Sequence, residues 1–504
     1  MLLPGNPPPA VGLSGMILSL QESGLITRSL RPYLLSALLS LPGGALQANE
    51  LPALGNSASG YVSLQQEHEL GRLWLRQLRA QATVIDDPLA TQFLEDLMYR
   101  LIPHSEVQIS DFEFVIVDRR ELNAFAVPGG IIGIHFGIFL HTRDEDELSG
   151  VLAHELAHLS QRHFARQLEQ ADRQGPLAIA SLLASILLMV AGSPDAGFAG
   201  LIGTQAASIQ SQLAYSRDWE READRLGMKT LAAAGLDPYA MPSMFQRMLQ
   251  ASRFNERPPE FLLTHPVTES RIADAADRAQ QYPQQPRLSG YEFRILQNLA
   301  QVRYQLRGDQ QQTHFSETLK HHPRSSTEHA AALYTLARLQ LEQQPARALE
   351  TLQQIPSPWR DHSATVALRA QALQATGQAD AALKAINEAL PFSPTDYNLL
   401  MTRARLLESQ NKAAEAVLAW RRLTELRPGE PAIWQALGSA AAANQQSALA
   451  YRANAEALFY RGQHAQALQQ MGQAVHQAAD SDDFQQEAAL KQRQQVMANT
   501  PSRF

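Results

Sequence analysis

The sequence predicts a mainly α protein in two parts: an α+β region with a small β-sheet, followed by an α-solenoid. Three observations predict it. Short β-like runs cluster between residues 112 and 134, amid long stretches of helical periodicity. A 34-residue step runs through the second half. The composition, 45% hydrophobic and 18% charged over 504 residues, is that of a globular chain with enough length for several cores. Cysteine is absent, which excludes disulfide scaffolds, thiol catalysis, Fe–S clusters and thiolate metal sites, so any metal must be held by His, Asp or Glu. A net charge of -7 leaves no global basic field for nucleic acid.

Taken in order, the chain opens with an export signal. Arg28 and Arg31 precede the apolar run 33–41, and small residues lead to Ala48, where cleavage is expected. Met16 is an alternative start. The run is too short to span a bilayer. An exported chain without cysteine would meet no redox hazard in an oxidising compartment. Residues 60–110 read as amphipathic helices. The runs 112–117 and 122–127 read as strands, and Pro128-Gly-Gly130 breaks the chain before a third run, 131–134. Thr142 and Glu145 have capping-box spacing, and acid at 144–147 suits the positive end of a helix dipole, so a helix is expected from there to about Arg166. The uncharged stretch 177–191 is expected to be a buried helix, or one that touches a membrane surface. Helices follow over 204–250, broken at Asp237-Pro238, and Pro- and Gln-rich sequence near 280–287 marks a linker.

Ala348, Ala382, Ala416 and Ala450 fall 34 residues apart, as do Leu339, Leu373 and Leu407, Gly377 and Asn411, and Pro394 and Pro428. A small residue recurring at that step is the signature of helix–turn–helix tetratricopeptide repeats, whose concave surface usually binds protein. The step loosens after 450, where Gly462 and Ala467 open an irregular last repeat. The expected organisation is therefore residues 1–48 as extension and signal, 49–280 as a first domain, 281–325 as linker and first helices, and 326–504 as the repeats.

The chemistry concentrates in His154-Glu-Leu-Ala-His158. Residues i and i+4 share a helix face, so the two imidazoles converge on one ion, and neutral imidazole suits Zn²⁺. Glu155 lies beside them, able to take a proton from a metal-bound water whose pKa zinc lowers to about 7. From Gly150 to Leu159 these three are the only polar side chains, and burying them without compensation would cost several kcal/mol. A third ligand must come from elsewhere. Glu220 and Asp224 are again i and i+4, so one can ligate while the other orients a histidine through its second N–H; Glu222 is the competing ligand.

His154-Glu-Leu-Ala-His158, Glu220-Arg-Glu-Ala-Asp224 and Thr264-His-Pro266 with Arg271, in that order, resemble the gluzincin peptidases related to the CAAX prenyl protease and the heat-shock protease HtpX. With the repeats and the export signal, the resemblance covers residues 50–480. It implies a zincin-type metalloprotease domain with one Zn²⁺ held by His154, His158 and Glu220, with Glu155 as catalytic base and Asp224 supporting a ligand. It implies that Asn123, Ala124 and Phe125 belong to an edge strand that holds an extended peptide. His265 would sit near the zinc, either holding the site latent or stabilising the oxyanion. His135, His141 and His163 match nothing and are expected to be structural or on the surface. The resemblance further implies a periplasmic role in assembly and quality control of outer-membrane β-barrel proteins, with unfolded or stalled barrels as clients and the barrel-assembly machinery docked through the repeats. The alternative is chiefly a repeat-based chaperone module with a latent peptidase site.

Overall fold

The computed structural model describes residues 63–172, 217–254, 261–287 and 289–501, with a few positions between 184 and 191. The export signal, its cleavage near Ala48 and most of 177–191 lie outside the described residues. Ser63 and Gln66 form a capping box at the start of α1 (Leu64–Gln81), and Asp87 caps α2 (Pro88–Leu101), whose proline fills the first turn where no N–H is needed.

Three strands follow: β1 (Glu113–Val117), β2 (Ala124–Val127) and β3 (Ile131–His135). Their order is β1-β3-β2, with β3 parallel to β1 and antiparallel to β2. Gly129 and Gly130, at φ 78° and 79°, supply the left-handed turn between β2 and β3. Gly133 faces Phe125 across that pair, and a Cβ there would lie 2.1 Å from the Phe125 ring, so the position must stay bare. Phe125 instead packs edge-on against Trp74 of α1, with ring centroids 5.6 Å apart.

A short α3 (Ile138–His141) leads to α4 (Glu145–Ser160), which is buried along nearly its whole length. The cap of α4 differs from the sequence expectation. Asp144 is the N-cap, accepting from the Glu147 N–H at 2.9 Å, while Thr142 ends α3 and donates to the Ile138 carbonyl. The helix also stops at Ser160 rather than near Arg166, because Arg162 adopts φ 51° and α5 (His163–Asp172) starts afresh. The Glu67 carboxylate accepts from Arg162 at 2.9 and 3.1 Å and holds that turn.

Next come α6 (Arg217–Ala233), α7 (Ala240–Phe254), α8 (Phe261–Thr264) and α9 (Glu269–Ala279). Gly227 lets α6 lie close on α4: its added Cβ would be 3.0 Å from the Ala153 carbonyl and the His154 nitrogen. Of the apolar stretch 177–191, Leu187 and Val190 are buried and pack in one cluster with Trp74, Phe125 and Phe164. Among the described residues no helix is long and apolar enough to cross a membrane.

Helical pairs fill the rest: α10 (Tyr291–Tyr304) with α11 (Asp309–His321), α12 (Thr327–Leu341) with α13 (Pro345–Gln353), α14 (Ser363–Ala375) with α15 (Ala379–Ala389), α16 (Tyr397–Ser409) with α17 (Ala413–Leu426), α18 (Pro431–Ala443) with α19 (Ser447–Tyr460), and α20 (His464–Asp480) with α21 (Phe484–Asn499). The recurrent alanines open the second helix of four successive pairs and are buried, so the helices approach closely there. Gly377, Asn411 and Gln445, again 34 apart, make the left-handed turn inside three pairs. The solenoid rests on the sheet-bearing half. The Arg427 guanidinium pairs with Glu95 of α2 and lies 4.0 Å over the Tyr397 ring, Arg79 donates to the Gly429 carbonyl at 2.8 Å, and Arg338 pairs with Asp87 at 2.7 Å. Arg76 of α1 donates to the Pro501 carbonyl at 3.2 Å and covers the Phe459 ring, so the last pair is also fastened to the first described helix.

Candidate metal centre

One turn of α4 carries His154 and His158 on a common face, fully screened from water. Their Nε2 atoms lie 3.0 Å apart. From α6, Glu220 places carboxylate oxygens 3.5 Å from His154 Nε2 and 3.4 Å from His158 Nε2. His265, just past α8, brings Nδ1 to 3.1 Å from Glu220 Oε1 and 3.4 Å from His154 Nε2. The buried Phe261 ring stacks on His265 and fixes it. One donor atom from each of the four residues falls within 4.8 Å of all the others. Four ligands at about 2.0–2.1 Å around a tetrahedral ion stand roughly 3.3 Å from one another, the spacing seen here. Protons alone serve such a cluster poorly, because two imidazole lone pairs and a carboxylate converge on one point; a single divalent cation satisfies all of them.

The surrounding charges support that use. Burial pulls the His158 imidazole well down, leaving it neutral as a ligand must be. Burial also works against the Glu220 carboxylate, but His265, His154 and His158 together hold it ionised, well below the usual carboxylate range. Asp224 is 3.0 Å from His154 Nδ1. It stays ionised against burial because Arg271 donates to both its oxygens, at 2.8 and 2.7 Å. The same guanidinium is 2.7 Å from Glu220 Oε2 and donates to the Pro266 carbonyl. His154, desolvated but flanked by Asp224 and Glu220, is held up at about 9, so acid and cation compete for its Nε2.

Glu155 stands at the rim of the cluster. Burial raises its carboxyl above the usual range, and its Oε1, buried and short of a hydrogen bond, is 3.5 Å from His265 Nε2. The Ala126 N–H hydrogen-bonds the Glu155 carboxylate, so β2 borders the site. The His135 N–H donates to the Asn123 carbonyl, which turns the polar backbone of Asn123, Phe125 and Val127 toward β3 and that of Ala124 and Ala126 toward the outer edge. All three residues expected to line this edge are buried, and Ala124 alone of them turns its polar backbone away from β3.

Every sequence-predicted metal ligand and Glu155 thus meet at one point, with His265. The competing Glu222 does not join them; it lies 3.2 Å from His163 Nε2. His163 itself, read as structural or superficial, is buried with Nδ1 2.9 Å from His158 Nδ1. No helical periodicity brings a residue five past His158 under its ring; the break at Arg162 does. His135 is buried at the end of β3, where desolvation pulls it down to about 3.

Two histidines and a glutamate beside a three-stranded sheet, with a second glutamate in reach, are the arrangement that a metallopeptidase of the HExxH class requires. Residues 88–279 match the profile of peptidase family M48. The chain resembles the β-barrel assembly-enhancing protease of Escherichia coli (strain K12), with 43% identity over 240 residues, 48% of this chain and 49% of that protein. The protein of the same name from Yersinia pestis is 42% identical over 251 residues, covering 50% of this chain and 51% of its own length. The mitochondrial metalloendopeptidase OMA1 of Schizosaccharomyces pombe is 29% identical over 182 residues, 36% of this chain and 51% of that one. The chain spans about half the length of the curated relatives it matches.

Proposed function

We propose that this chain is a zinc-dependent endopeptidase that acts in the periplasm on outer-membrane β-barrel proteins, removing stalled or unfolded forms and aiding assembly of the rest. The observation that carries the proposal is the convergence of Glu220 from α6 with His154 and His158, beside Glu155, on the otherwise apolar stretch 150–159 of α4. Zinc held by those three ligands would polarise the scissile carbonyl and acidify water. The chain supplies the rest. Glu155, raised by burial, accepts the proton of the attacking water and returns it to the departing nitrogen. Asp224, clamped by Arg271, keeps the His154 ring oriented. The outer edge of β2, through Ala124 and the Ala126 carbonyl, receives the substrate as an added strand, the Ala126 N–H being held by Glu155. The repeats, a protein-binding architecture, would dock the peptidase to the barrel-assembly machinery. The periplasmic setting rests on the leader between Arg28 and Ala48, and the clients on the role named in the relatives.

One geometric feature favours a latent resting form: His265 Nδ1 stands where a fourth ligand would, at the position a substrate carbonyl needs. The experiment is zinc content and casein cleavage of the purified chain beside Glu155→Gln and His265→Ala. The parent should hold one zinc. Glu155→Gln should keep it and lose cleavage at least about 100-fold, since general-base removal costs roughly 10²–10⁴. His265→Ala should cleave faster. Loss of zinc from Glu155→Gln would remove the assigned role of Glu155, and slower cleavage by His265→Ala would remove the latch.

A further inference from the structure

The turn at Arg162 places His163 behind the metal ligands rather than on the outer face of the helix. The His163 ring is buried and lies flat on Trp219, with centroids 5.3 Å apart and planes 8° from parallel. Its Nδ1 is 2.9 Å from His158 Nδ1, and its Nε2 is 3.2 Å from Glu222 Oε2. Proton accounting assigns the direction of this chain. His158 turns Nε2, as a lone pair, toward His154 and Glu220. A neutral imidazole carries its hydrogen on the other nitrogen, so His158 Nδ1 donates. His163 Nδ1 must then accept, which puts the His163 hydrogen on Nε2, where the Glu222 carboxylate receives it. Arg166 is 3.6 Å from that carboxylate and favours its charge.

We propose that His163 and Glu222 are a positioning pair for the metal centre, fixing the tautomer and plane of the His158 ring as Asp224 fixes those of His154. This rests on the metallopeptidase reading above. The two ligating rings are then held by different devices: a carboxylate directly for His154, and a carboxylate acting through a second imidazole for His158. The acidic residues of Glu220-Arg-Glu-Ala-Asp224 have separate duties: Glu220 faces the ion, Glu222 reaches sideways to α5, and Asp224 backs His154. Outer partners of this kind raise ligand basicity, and losing one typically weakens metal binding 10–100-fold.

The test uses the full chain and Zn²⁺ alone, in competition with a chromophoric chelator, with Co²⁺ absorption as a second readout and melting of the metal-free chain as a control on folding. His163→Ala should weaken Zn²⁺ binding roughly 10–100-fold and shift the Co²⁺ bands. His163→Gln, whose side-chain oxygen can accept from His158 Nδ1–H, should recover most of the affinity and the parent spectrum. Glu222→Gln should weaken Zn²⁺ less, and should add nothing once His163 is Ala. Because the Glu222 side chain is partly exposed, its isosteric variant carries the test even if His163→Ala melts early. Unchanged Zn²⁺ affinity in both Glu222→Gln and a folded His163→Ala, or full additivity of the two, overturns the positioning pair alone. A parent chain that takes up neither ion overturns the metallopeptidase reading and the pair with it.

Discussion

Arg271 is the single residue on which most of the centre's charge rests. One planar fork serves both Asp224 oxygens, a third N–H lies against Glu220, and the same group ties down the Pro266 carbonyl next to His265. Removing one partner of a buried ion pair leaves its charge uncompensated, at a cost of about 3–5 kcal/mol. Arg271→Ala should therefore lower stability by that amount in urea melts of the metal-free chain, and Arg271→Lys should recover only part, lacking the fork. A melt within 1 kcal/mol of the parent would contradict the assigned load. At this scale the sequence was partly legible. The spacing of His154 and His158, and of Glu220 and Asp224, is a helical spacing and reads directly. Arg271 could be named as part of a pattern, but its contacts depend on how α9 meets α6, which no local spacing encodes. His163 is buried, as the structural alternative allowed, but its contact with His158 was not legible for the same reason: its place depends on one left-handed residue, Arg162, of a type that seldom adopts that conformation.

Elements fix how far apart the two ligand-bearing helices stand. Gly227 follows Glu220 and Asp224 along one face of α6, at i+7 and i+3, and presents a bare backbone to Ala153 and His154. In Gly227→Ala the new methyl must push α6 outward by a few tenths of an ångström. Overpacking of that kind costs about 1–3 kcal/mol, offset by up to about 1 kcal/mol of better helix propensity. Zinc affinity should thus fall more steeply than stability, since the donor atoms part while the core adjusts; calorimetric zinc titration beside thermal melts reads the two separately. A fall in melting with zinc affinity intact would refute the spacing role. The strands, the α6–α7 break at Asp237-Pro238 and the paired helices of the second half follow from periodicity and turn residues. The cap at Asp144 was missed because Thr142 and Asp144 both suit that role, and packing of α3 decides between them.

Across the whole molecule, the seam between the sheet-bearing half and the solenoid gathers acid. Glu292 of α10 faces Asp96, Glu145 and Asp396, with His362 Nε2 3.9 Å away. Burial first, then those carboxylates, raise it to about 7. Its folded value exceeds its unfolded one, so below the ordinary carboxyl range it is neutral in both states. As pH rises toward 7 the unfolded chain releases the proton first, and the folded chain loses stability until the group ionises there too. Glu292→Gln should match the parent at pH 4 and exceed it by about 2 kcal/mol at pH 8, a figure reduced for the share of the side chain that water still screens. Equal stabilities at pH 8 in urea melts would overturn this. None of the seam was legible in the sequence, because its pairs join residues far apart along the chain, 151 positions for Arg294 and Arg143 and 425 for Arg76 and Pro501. The grip of Arg76 on the Pro501 carbonyl and the Phe459 ring has its own result. An open stack of repeats can peel from its loose end one unit at a time. Here Arg76 of α1 holds both Pro501 and the Phe459 ring, so peeling of the last described pair must also break its contacts with the first described helix.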